Sequence, residues 1–99
     1  MKLTKQSHNG TSFHGTVIHA SVNELKRALG EPTWGSNDGK DKVNFEWVRE
    51  TDDGSVFTVY DYKEYRKLKL NEIIEWHIGG KNGRDTEQGK KEILEALAK

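Results

Sequence analysis

The chain has 99 residues, 32% hydrophobic and 32% charged, and its sixteen basic and sixteen acidic residues cancel. That length suffices for one core and not for two. Zero net charge together with three Trp, three Tyr and three Phe argues against disorder of the whole chain, and against the long-range pull on DNA that a strongly basic domain exerts.

Cysteine is absent, which removes disulfides, thiolate metal sites and cysteine nucleophiles and fits a reducing compartment. Residues 1–10 are polar and aperiodic and are expected to form a flexible amino-terminal arm ahead of a single domain over residues 11–99. No apolar core of a signal peptide is present, nor any stretch near the roughly 20 apolar residues a membrane helix needs, so a cytoplasmic location without membrane attachment is expected.

Ser12 to Ala20 is rich in β-branched and aromatic residues and reads as the first strand. Ser21-Val22-Asn23-Glu24 has the form of a capping box, so a helix is expected to start there, bury Val22, Leu25, Ala28 and Leu29, and stop at Gly30 before Pro32. Residues 31–42 read as a loop of about a dozen residues around Trp34, long enough to suggest a functional or mobile segment.

Val43, Phe45 and Trp47 alternate with polar residues and should face the core from a second strand. Asp52-Asp53-Gly54 reads as a hairpin turn into a third strand over residues 55–62. Residues 63–71 form an extended charged turn, and residues 72–78 a last strand with Ile74, Trp76 and Ile78 on one face and Ile73, Glu75 and His77 on the other, ended by Gly79-Gly80. Asp85 is expected to cap a closing helix with Gln88 three positions on, an apolar stripe of Ile93, Leu94 and Leu97, and lysines towards its negative end. The expected fold is α+β, order β-α-β-β-β-α, with a four-stranded, mostly antiparallel sheet and both helices packed on one face.

Three patterns bear on chemistry. The run from His77 to Arg84 is a glycine-rich turn entering a helix, where backbone amides with Lys81 and Arg84 can cradle an anion; it matches neither the P-loop nor the dinucleotide fingerprint, and Asp85 occupies the place an anion would take. His14, His19 and His77 with Asp61 are too loosely spaced to require a metal, and none is expected. Tyr60, Tyr62 and Tyr65 interleave with lysine and arginine, a mixture suited to stacking on bases or to anchoring a protein partner, and equally to a half-buried sheet face with a solvated edge. No nucleophile elbow or HExxH motif is present, so neither an enzyme nor a cofactor is expected.

At Phe13-His14-Gly15-Thr16, Trp47, Phe57 to Lys63 and Glu75 to Gly80, the chain resembles a group of small hypothetical proteins of bacteriophage genomes, with the likeness covering most of residues 13–80. The resemblance implies a phage or prophage origin, and hence a location in the host cell; by analogy, small, neutral, cofactor-free phage proteins frequently act by binding a host protein or sequestering a host signal, and no functional residue carries over. The leading expectation is therefore a non-enzymatic module, a monomer or small homo-oligomer, that binds a host protein such as a defence or nucleic-acid-processing factor through a sheet edge or the Trp34 loop. Its expected binding residues are Trp34, Tyr60, Tyr62, His77, Lys81 and Arg84. The alternative expectation is binding of nucleic acid or a nucleotide at the Gly79 to Arg84 turn.

Overall fold

A computed structural model describes residues 1–4, 10–40 and 42–99. Of the expected amino-terminal arm, residues 5–9 lie outside the described residues; near its start Lys2–Leu3 form a two-residue strand, β1.

The first helix is built as its capping box dictates. The Ser21 hydroxyl accepts from the Glu24 N–H at 3.1 Å and the Glu24 carboxylate accepts from the Ser21 N–H at 3.0 Å, satisfying two amides that a helix start leaves without partners. Helix α1 then runs Val22–Leu29 with Gly30 as its C-cap, and it buries Val22, Leu25 and Leu29.

Strand β2, Ser12–Ala20, precedes it, and the two-residue strand β3, Trp34–Gly35, follows it. Strands β4 (Phe45–Glu50), β5 (Val56–Tyr60) and β6 (Ile74–Gly80) form a meander, with Asp52-Asp53-Gly54 turning the chain between β4 and β5 as expected. In space the strands run β1-β4-β5-β6-β2, β3 also pairs with β4, and every pairing is antiparallel. The sheet thus has six strands rather than the expected four, because two-residue strands are too short to show any alternation. The strand ends also differ: β4 runs on to Glu50, β5 stops at Tyr60, and β6 begins at Ile74 and carries on through Gly79 and Gly80 instead of ending before them.

Alternation sorts the side chains onto two faces. Ile18, Ala20, Trp47, Phe57, Val59, Ile74, Trp76 and Ile78 turn to one face, where α1 adds Val22, Leu25 and Leu29 and the closing helix α2, Gly83–Leu97, adds Ile93. Trp47 and Trp76 meet edge to face at 5.6 Å in the middle of this core, each with its indole N–H donated to a carbonyl, Gly30 for Trp47 and Ala20 for Trp76. Side chains such as Leu25, Ile78 and Ile93, fully buried, each contribute about 1.5–3 kcal/mol relative to staying in water.

Helix α2 departs from the sequence expectation at its start and on its face. Its N-cap is Asn82, whose Oδ1 accepts from the Asp85 N–H at 2.9 Å, so Asp85 lies in the first turn and not at the cap. Asn82 is separated from the end of β6 by one residue, and its short acceptor side chain reaches the third helical amide before Asp85 can begin a turn of its own. The helix buries Thr86, Gly89, Glu92 and Ile93, while Leu94, read as part of the stripe, is 47% exposed. The face is set at Gly89: a Cβ built there would lie 2.7 Å from Phe57 Cγ, so the helix approaches the sheet most closely at that residue and turns Leu94 outward. Gly89→Ala is therefore expected to destabilise the protein by about 1–2 kcal/mol, because clash with a fully buried ring outweighs the gain of about 1 kcal/mol in helix propensity. Denaturant unfolding checks this, and a more stable variant would contradict such tight packing.

Candidate functional site

The opposite face of the sheet, on which neither helix packs, carries the candidate site. Register places Trp34 opposite Glu46, Glu46 opposite Tyr60, Tyr60 opposite His77 and His77 opposite Val17, so these five side chains form one row across β3, β4, β5, β6 and β2. Neighbouring strands lie about 4.8 Å apart, so residues directly opposite one another touch.

Rings gather around the middle of the row. Phe13 stacks on His77 with centroids 4.0 Å apart and planes 15° apart, and Tyr62 lies nearly parallel to His77 at 5.1 Å. Tyr60 meets His77 edge-on at 5.6 Å and Tyr62 edge-on at 6.4 Å. The strand order puts His77 between Phe13 on one side and the two tyrosines on the other. Phe13, Trp34 and Tyr62 are 42–43% exposed, while His77 and Tyr60 are half-buried among them.

The electrostatics of this face are mixed. Burial first, then the Glu46 carboxylate and Tyr62, push the Tyr60 phenol above its ordinary value, so it stays a neutral hydroxyl across the physiological range. Glu75 lies 3.9 Å from the Nε2 atoms of both His19 and His77. The Lys63 ammonium sits 5.1 Å from the centre of the Tyr62 ring, a cation–π contact of about 0.5–1 kcal/mol at an exposed site.

Of the six residues expected to bind, Tyr60, Tyr62 and His77 come together and Trp34 stands at the end of their row, two strands away from Tyr60. Lys81 and Arg84 do not join them. They lie past the Gly80 end of β6, towards the β4–β5 turn, where Arg84 reaches Asp53 at 4.0 Å. Hydrogen bonds from Thr51 and Ser55, with a smaller pull from Arg84, hold Asp53 below the usual carboxylate range.

The glycines before Lys81 answer to packing. A Cβ on Gly79 would lie 2.6 Å from the Thr58 Oγ1 on β5, and one on Gly80 would lie 3.0–3.2 Å from Thr86 and Asp85 on α2. Asn82 already occupies the first-turn amide of Asp85. Among the described residues no three His, Cys, Asp or Glu side chains are placed to hold a metal, and no helix is long and apolar enough to cross a membrane.

Phe13 is the residue that sequence reasoning left out. Counting back by twos from the core residues Ala20 and Ile18 assigns Phe13, with Val17, to the other face, and the irregularity of β2 around Gly15 inserts an even number of residues and preserves that parity.

Beside the row, the chain on either side of the β4–β5 pair continues as two loops locked together, in which the described residues are 36–40 with 42–44 and 61–70. The fully buried Asp61 accepts from the Asn44 and Phe45 N–H groups at 2.8 and 2.9 Å through one carboxyl oxygen and from the Asn44 amide at 3.0 Å through the other. Asn44 in turn donates to the Arg66 carbonyl and accepts from the Gly39 N–H. The Lys63 N–H donates to the Lys42 carbonyl, and the Asn37 amide both donates to and accepts from the Leu68 backbone. Three residues other than glycine, Asn37, Lys63 and Tyr65, are held here at φ of 49–57°, a conformation that costs about 1–2 kcal/mol each and persists only where the surroundings impose it.

Compared with known proteins, the chain matches no family model, no curated protein and no solved structure.

Proposed function

We propose that the chain is a non-enzymatic binding module that engages a partner protein through the sheet face turned away from its helices. The observation that carries this reading is the placement of Phe13, Tyr60, Tyr62 and His77 together on that face, in line with Trp34. Solvation of a sheet calls for polar residues there. Partly exposed aromatic side chains in mutual contact, with Glu46, Glu75 and Lys63 around them, instead have the make-up of a protein-binding patch, in which large rigid rings supply the anchors and charged residues the rim. The likeness to phage proteins makes a host protein the class of partner to seek.

The test uses the whole chain, tagged, against bacterial lysate. The wild type is expected to retain a discrete partner and the double variant Trp34→Ala, Tyr62→Ala to lose it. Both side chains are more than two-fifths exposed, so the melting temperature should move by no more than a loss of about 1 kcal/mol would cause. Retention of the same partner by the double variant, or unfolding of that variant, removes the reading. Binding of nucleic acid or a nucleotide at the Gly79 to Arg84 turn is the competing reading; it predicts a salt-sensitive oligonucleotide shift that Lys81→Glu with Arg84→Glu abolishes.

A further inference from the structure

We infer that the locked double loop beside the aromatic row receives an acidic segment of the partner protein. This rests on the reading above, because the row is the anchor from which the segment extends.

The first observation is where the lysines fall. Lys40 and Lys42 stand on one loop and Lys63, Lys67 and Lys69 on the other, all exposed and none within ion-pair distance of a carboxylate among the described residues. The loops run side by side: the Lys42 carbonyl meets the Lys63 N–H, and a Cβ on Gly39 would lie 2.8 Å from the backbone of Arg66 and Lys67. Lys63 also contacts Tyr62, so the basic loop and the aromatic row are one continuous surface.

The second observation is that most of the neighbouring acids among the described residues are engaged by other groups. Glu72 takes both Arg66 guanidinium nitrogens at 2.8 and 2.9 Å, Glu64 lies 3.7 Å from the same guanidinium and Asp61 is buried against Asn44 and Phe45, while Asp38, exposed on the loop, accepts from the Lys40 N–H. Five exposed lysines against the one exposed carboxylate of Asp38 leave the outward charge of the described loop residues positive. Because backbone and amide bonds already hold the loops in place, a ligand would spend little of its binding energy on ordering them.

An acidic protein segment fits this surface better than nucleic acid does. Glu46 stands in the row and Glu75 beside it, 3.9 Å from His77, and a nucleic acid strand carries a phosphate at every residue that would have to pass them. A protein segment can confine its acids to the loop end and lay apolar groups on the rings. The rings also cover one another, as Phe13 and His77 do at 4.0 Å, and leave few open faces for bases.

The experiment is a titration of the isotopically labelled whole chain, at low ionic strength, with polyglutamate, polylysine and a thymidine oligonucleotide as probes. Polyglutamate is expected to shift the amides of residues 40–42 and 63–69 ahead of those of Lys81, Lys90 and Lys91. The effect should weaken about tenfold or more as salt is added and in the variant Lys63→Glu, Lys67→Glu, and should be unchanged in Lys91→Glu. Shifts spread evenly over all lysines, a stronger response to polylysine, or tighter binding of the oligonucleotide would each overturn the inference. In those cases loss of the partner by the Trp34→Ala, Tyr62→Ala variant would still stand as support for the aromatic row, so the two ideas fail separately.

Discussion

Arg49→Ala is expected to destabilise the fold by about 3–5 kcal/mol, the largest loss from any single substitution considered for this protein. Arg49 lies on the core side of β4 and is only 2% exposed. Its guanidinium donates to the Leu29, Val48 and Glu31 carbonyls and to the Thr33 hydroxyl, so one side chain satisfies the end of α1 and the start of the next loop. A cation at that place also suits the negative end of the helix. Burial pulls the guanidinium below its ordinary value, yet it stays fully charged in any ordinary buffer.

Removing it orphans several buried carbonyls at once and opens a cavity. Arg49→Met, which keeps most of the volume and none of the donors, should lose nearly as much, and Arg49→Lys should recover only part because an ammonium cannot span the same fork of acceptors. Denaturant unfolding of the three variants decides the matter. If Arg49→Met is as stable as the wild type, the hydrogen bonds contribute nothing and the argument fails.

The second large effect is expected at Asp61. Asp61→Ala leaves the buried Asn44 and Phe45 N–H groups without acceptors and should cost about 2–4 kcal/mol. Asp61→Asn should cost less, about 1–3 kcal/mol, since an oxygen can still take both backbone amides while its NH2 would then face the Asn44 amide, donor against donor. Hydrogen exchange supplies the more specific readout. In Asp61→Ala the amides of residues 37–45 and 63–68 should lose protection first, while those of the α1 and β6 core keep it. Uniform loss across the chain would show that Asp61 does not act as the local clasp of the two loops.

These two residues mark the boundary of what the chain discloses before it is folded. The start of α1 was legible because a capping box is complete within four residues, and the alternation of Ile74, Trp76 and Ile78 because period two needs only one strand. The row of Tyr60 and His77 was half legible. Alternation assigns each to the face away from the core, but their contact depends on the register between β5 and β6, which is set by packing at long range. Arg49 and Asp61 look like ordinary charged residues in the sequence; their roles arise from partners sixteen to twenty places away, at Leu29, Thr33, Asn44 and Phe45. Asn82 took the cap of α2 from Asp85 for a similar reason, because the end of β6 delivers the chain to the helix earlier than local composition suggests. The lysines of residues 40–69 read as a solvated run until Asn37, Asn44 and Asp61 fold two distant segments against each other.

The flank of β4 away from β5 is filled along its length by β3, by the Thr33 hydroxyl accepting from the Val48 N–H, and by β1. Among the described residues β2 pairs only with β6, and the outer edges of β1 and β3 are two residues long, so β2 is the one long edge open to further strand pairing. A second copy pairing along β2 would leave a third nothing longer than the two-residue edges of β1 and β3. Those short outer edges limit growth into ribbons or fibres by a sheet rich in aromatic and β-branched residues.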